Sequence, residues 1–139
     1  MTFLDDAARA HLGALADLLI PEDGDMPSAS GAGVAGPGVD AVLAARPDLV
    51  EPLRIALALA AEMDPPRALA TLRTEHPAAF TALGEIAAGG YFLQADIQRR
   101  IGYRGRAALP IDTAPVDAEL LGPVLARGAI WRADPRGAQ

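Results

Sequence analysis

Few side chains in this sequence are of the types that make or break bonds. Ser28 and Ser30 stand two residues apart and could serve as hydroxyl nucleophiles. A nucleophilic serine needs a base within hydrogen-bond reach and a third group to orient that base. His11 and His76 are the only histidines, and no Gly-x-Ser-x-Gly elbow frames either serine. His11 falls on the first expected helix beside core positions. His76 precedes Pro77, where it ends an expected helix. Both are read as structural or surface residues. Two isolated histidines and no cysteine make a poor ligand set for a dedicated transition-metal site. The absence of cysteine also excludes disulfides, iron–sulfur clusters and thiol nucleophiles.

Two further patterns invite a chemical reading. Gly31-Ala32-Gly33-Val34-Ala35-Gly36 spells G-x-G-x-x-G. The dinucleotide fingerprint needs a strand before it and a helix starting on it. Here a proline-rich loop precedes it and Pro37-Gly38 follows, so a loop of small residues is expected. No Gly-Lys-Ser/Thr is present to cradle a phosphate. Glu22, Asp23 and Asp25 form an acidic cluster. A calcium loop needs oxygens at alternating positions and a closing glutamate, and beyond Asp25 only Ser28 and Ser30 could help. Solvated turn carboxylates are expected there. With no metal, cofactor or catalytic residue assigned to it, the chain is expected not to be an enzyme.

The elements that carry these residues are read as helices. The 139 residues amount to one domain. Hydrophobic residues make up 51% but aromatic ones only 4%, the difference being largely alanine. Alanine favours helix and fills little volume, so such a core needs closely packed helices. The net charge is −6 and every basic residue except the two histidines is an arginine. That balance is poor for neutralising phosphates or binding anionic membranes. The longest uninterrupted apolar run, Ile55 to Ala61, is seven residues, against about 20 for a membrane span. Met1 to Leu4 leads into Asp5-Asp6 where a signal peptide would carry positive charge, and Arg99-Arg100 is internal. A cytoplasmic location is the expectation, with export on a signal-bearing partner as the alternative.

Along the chain, Thr2 to Asp5 reads as a capping box opening a first helix. Leu4, Ala8, Leu12, Leu15 and Leu19 form its apolar stripe, and Pro21 stops it. Pro21 to Gly38 reads as a long loop, either functional or pinned by a partner. Val39 to Ala45 is a short helix. Pro47 starts the next, which runs to about Met63 and, being apolar nearly all round, is expected to be the central buried helix. Shorter helices are expected from Arg67 to Glu75 and from Asp96 to Ile101, the latter capped by Gly102. Between them a helix runs from about Ala78 to Leu93 with Phe80, Leu83, Ile86 and Ala87 inward. Gly84, Gly89 and Gly90 are costly in it, and it is expected to bend or end near Gly89-Gly90. Tyr103 to Pro115 reads as extended. A last helix, Val116 to Ala126, is kinked or interrupted at Gly122-Pro123. The expected architecture is all-α: one domain of five to seven helices over residues 1–126, then a tail over 127–139.

Most of the aromatic side chains gather in Gly90-Tyr91-Phe92 and Ile101-Gly102-Tyr103-Arg104-Gly105, and Trp131 stands in the tail. They either finish the chain's own core or serve as interface anchors, where Tyr, Trp and Arg are enriched.

The order of these segments resembles the gluconate 2-dehydrogenase subunit 3 family. The opening Leu15-Ala16-Asp17-Leu18-Leu19-Ile20-Pro21-Glu22-Asp23 is followed by Pro27-Ser28-Ala29-Ser30, by Ala32-Gly33-Val34 and by a short helix near Asp40. Gly90-Tyr91-Phe92 and Ile101 to Gly105 resemble the family's later tyrosine-bearing segment and Gly-Tyr-x-Gly turn. The resemblance spans roughly residues 8–110, in motifs of small and apolar residues. It implies a small, flavin-free subunit that assists folding, stability or export of an FAD-dependent partner of the glucose-methanol-choline type, acting on a sugar or polyol. The twin-arginine leader of many such subunits has no counterpart here. No active-site residue transfers. The residues expected to face the partner are Pro21, Pro27, Ser28, Tyr91, Phe92, Tyr103, Arg104 and Trp131. The alternative is a self-contained helical module taking a small ligand into a pocket around Gly84, Gly89 and Gly90.

Overall fold

In the computed structural model, which describes residues 4–106 and 118–128, helix α1 (Asp6–Leu19) begins where the Asp5 carboxylate accepts a hydrogen bond from the Ala8 N–H at 2.8 Å. Asp5 is thus the N-cap, three residues later than the Thr2 cap expected, and Thr2 lies outside the described residues. After the loop, a π turn (Val34–Gly38) leads into α2 (Val39–Ala45). A 3-10 turn (Pro47–Leu49) then leads into α3 (Val50–Glu62). The Asp64 side chain caps α4 (Pro65–Glu75) by accepting from the Arg67 N–H, with Pro65 in the first turn where its missing N–H costs nothing. His76 separates α4 from α5 (Pro77–Phe92), and α6 (Ala95–Arg100) follows after Gln94. Among the described residues there is no strand beyond an isolated Asp23–Met26 bridge, so the fold is all-α.

The chain divides into two compact units, the first ending at Gly105 and the second beginning at Arg106. That division lies earlier than the boundary expected after Ala126. The second unit holds α7 (Ala118–Arg127), which runs through Gly122-Pro123 without interruption.

In the first unit α5, not α3, is the central helix. It touches α1, α2, α3, α4, α6 and the π turn. Ala79, Ala82, Leu83, Ile86, Ala87, Gly90 and Tyr91 are buried along it. Its small residues let neighbours close in on several sides at once. By contrast, α3 leaves Glu51, Arg54 and Ile55 at the surface. Leu12, Leu15, Leu43, Leu53, Leu72, Leu83 and Ile86 complete the main core. Each contributes about 1.5–3 kcal/mol by leaving water.

Helix α5 does not end at Gly89-Gly90. A Cβ on Gly90 would sit 3.2 Å from Val34 Cγ1 and 3.4 Å from the Gly38 carbonyl carbon, and one on Gly89 would sit 3.1 Å from Val42 Cγ2. These glycines admit the π turn and α2 against the helix. Their cost in helix propensity is offset by that approach.

Candidate partner-docking site

The 21–38 loop is fastened by side chains of its own chain. The Asp17 carboxylate accepts from the Ser30 N–H at 2.7 Å and from the Ser30 hydroxyl at 2.6 Å. Partial burial pushes the Asp17 carboxyl up, but the Ser30 hydroxyl and N–H, with a smaller share from Ser28, outweigh it and hold the pKa below the usual 3.8. Arg9 donates to the Ala35 and Gly36 carbonyl oxygens and to both carboxylate oxygens of Asp40, all within 2.9 Å. The Tyr91 hydroxyl donates to the Pro27 carbonyl oxygen at 2.8 Å. Ala29 and Val34 close the loop over a small second core with Ala16, Ala87, Tyr91 and Ile97.

These contacts account for the side chains with chemical potential. Ser28 Oγ lies 3.3 Å from Ser30 Oγ, and Ser30 leans on Asp17. Among the described residues no histidine side chain hydrogen-bonds to either serine. The G-x-G-x-x-G stretch runs through turns, with Gly33 at φ +86°, and its last three residues form the start of the π turn. The Asp25 carbonyl oxygen accepts from Arg100, and Asp23 pairs with Met26 through the backbone. Among the described residues no three His, Asp or Glu side chains gather as metal ligands.

Besides Leu18, Ile55 and the α7 residues Leu121, Val124 and Leu125, one cluster of exposed apolar side chains lies where α5 ends. Phe92, Leu93, Ile101 and Tyr103 are each 51 to 55% exposed. With Gly89 and Gln98 they line a hollow of about 420 Å³. Local hydrogen bonds, one of them from the Gln98 side chain, place them. The Gln98 amide donates to the Phe92 carbonyl oxygen at 2.9 Å, tying α6 to the end of α5. Helix α6 closes in a Schellman turn: the Tyr103 N–H donates to the Gln98 carbonyl oxygen at 2.8 Å and the Gly102 N–H to that of Arg99 at 3.1 Å. Gly102 takes φ +73°, which this turn requires. Phe92 stands edge-on to Tyr91 at 5.5 Å.

Of the expected interface residues, Phe92 and Tyr103 meet at this hollow, and Arg104 follows Tyr103 at the surface. Pro21 is exposed, but on the loop after α1. Pro27 and Ser28 are half-buried in the loop, which holds itself together. Tyr91 is 2% exposed and belongs to the core, so its ring is not an interface anchor. Trp131 lies outside the described residues. Leu93 and Ile101 were missed; each is an apolar residue just beyond a helix end, where helical periodicity no longer assigns a face.

A second hollow of about 440 Å³ lies between α1, α2 and α3, lined by Leu4, Ala8, Leu43, Val50, Leu53 and Leu57, with Asp5 and Arg54 also on its wall. The pocket expected around Gly84, Gly89 and Gly90 is not formed. Gly90 is filled by the π turn, Gly89 meets Val42 and only rims the Phe92 hollow, and nothing approaches Gly84.

No protein-family model matches this chain, and no curated protein or solved structure matches it either.

Proposed function

We propose that this chain is a non-catalytic helical subunit that binds and stabilises a larger protein. The observation that carries the reading is the exposed Phe92–Leu93–Ile101–Tyr103 edge around its hollow. Apolar side chains of this size, held by a capped helix end, suit a contact with another protein. The partner proposed is an FAD-dependent sugar or polyol oxidoreductase, on the resemblance of residues 8–110 to small subunits of such enzymes. The flavin belongs to the partner. The complex is cytoplasmic, or travels on a signal carried by the partner. The 127–139 tail with Trp131 adds to the contact, so truncation after Ala126 weakens the complex.

The test is to express the flavoprotein with and without this chain and to measure its solubility and FAD content. Poor yield and low flavin occupancy alone, restored by co-expression, support the reading. Full stability and activity alone argue against it.

A second reading has an observation of its own in the Leu4–Leu57 hollow. There the chain takes up a small ligand between α1, α2 and α3. A thermal shift with a sugar and flavin panel tests it, and no shift with any member removes it.

A further inference from the structure

A hollow of about 310 Å³ lies between α4, the end of α1 and the start of α5. Its described lining is Leu19, Pro66, Leu69, Ala70, Arg73 and Phe80. Positions 66, 69, 70 and 73 recur at helical spacing and so share one face of α4. Arg73 therefore stands on the same wall as Leu69. Leu19, Leu69 and Phe80 pack against the main core but are only partly buried, which gives the hollow an apolar floor. Arg73 is exposed and is the one charged side chain among the described lining residues. It has no ion-pair partner among the described residues. Two other hollows with an arginine on the wall differ in this respect. At the Leu4–Leu57 hollow Arg54 is paired with Glu51, and Asp5 adds a carboxylate. A hollow of about 370 Å³ beside the Pro27–Ala32 loop holds Arg100 together with Asp96, and Arg100 already donates to the Asp25 carbonyl oxygen.

We propose that the α4 hollow binds a small apolar carboxylate of the medium-chain fatty-acid type, its carboxylate on Arg73 and its chain against Leu19, Leu69 and Phe80. A guanidinium grips a carboxylate through a planar fork of two parallel hydrogen bonds. An arginine stem lies along apolar surface while its head group stays in water, so this one side chain serves both halves of such a ligand. A cationic ligand finds no carboxylate in the described lining. The volume is at the low end of small-molecule sites, about 300–1,000 Å³, and suits one short chain rather than a nucleotide or a flavin. At physiological salt charges are screened over about 8 Å, so the guanidinium on the wall outweighs the chain's net −6. The inference is independent of the accessory-subunit reading, because no residue of the Phe92 edge lines this hollow.

The test titrates the full isotope-labelled chain with octanoate, octanol and octylamine and follows the amide chemical shifts. Octanoate shifts the amides of Leu19, Leu69, Ala70, Arg73 and Phe80, and binds about fivefold more tightly than octanol, as one exposed ion pair allows. Arg73→Gln lowers octanoate to the octanol affinity, and Arg73→Glu reverses the order in favour of octylamine. Ala70→Trp fills the hollow and removes binding of all three. Positions 70 and 73 are both exposed, and circular dichroism confirms that the variants fold. Equal affinity for the three probes, an octanoate preference that Arg73→Gln leaves intact, or no shift with any probe overturns the inference. So do shifts confined to Leu43, Val50 and Leu53, which put the ligand in the Leu4–Leu57 hollow. A dimer that Ala70→Trp breaks also overturns it, since the occupant is then a second copy of the chain.

Discussion

The Arg9 guanidinium, 18% exposed, bridges the Ala35 and Gly36 carbonyl oxygens and the Asp40 carboxylate. Removing it leaves two carbonyls and a half-buried carboxylate short of donors. Arg9→Ala is expected to cost about 2–4 kcal/mol in urea denaturation. Arg9→Lys recovers only part of this, because an ammonium cannot reproduce the fork. Asp17 gives the fold a pH dependence whose sign follows from its lowered pKa. A carboxyl depressed in the folded state contributes stability that is present above the unfolded value and lost as pH falls through the folded value. Wild-type stability is therefore expected to fall as pH drops from about 5 towards 2, and Asp17→Asn to show a shallower fall with lower stability at neutral pH. Chemical denaturation across that range checks both statements.

At the scale of the helix, two glycines of α5 are expected to respond to alanine in opposite directions. Nothing lies within 4 Å of a Cβ placed on Gly84, so Gly84→Ala gains helix propensity alone and stabilises by about 0.5–1 kcal/mol. Gly90→Ala drives a methyl into Val34 and the Gly38 backbone. It destabilises by about 1–3 kcal/mol despite the same propensity gain. Thermal melts of the two variants separate these outcomes. The glycines also mark how far the sequence could be read. Helical periodicity placed the α1 stripe and the Leu83–Ile86 face, because 3.6-residue spacing is local information. It could not show that Gly89 and Gly90 serve close approach rather than a helix end, since that depends on Val34, Gly38 and Val42, which are distant in sequence. For the same reason an alanine-rich α5 read as less central than the leucine-rich α3. The loop read as unsupported because its fastenings, from Arg9, Asp17 and Tyr91, are single side chains with no repeating pattern. At the candidate site, Phe92 and Tyr103, expected to face a partner, are exposed at the hollow, and Arg104 is exposed beside Tyr103. Leu93 and Ile101 were not expected there, because their exposure is set by where α5 and α6 stop.

At the scale of the whole molecule, stability and the proposed binding reside in different side chains. The core and the fastened loop hold the first unit together, while the Phe92–Tyr103 edge adds side chains about half exposed to solvent. Leu93→Asp is therefore expected to leave the melting behaviour within about 0.5 kcal/mol of wild type, as exposed substitutions do. The central claim, that this edge binds a flavoprotein, is tested most directly by co-expressing the affinity-tagged chain with the flavoprotein and reading the pull-down at flavin absorbance. The account predicts a yellow, stoichiometric complex with the wild-type chain and a colourless one with Leu93→Asp. A colourless wild-type chain running alone would contradict it, as would a yellow complex that Leu93→Asp leaves intact.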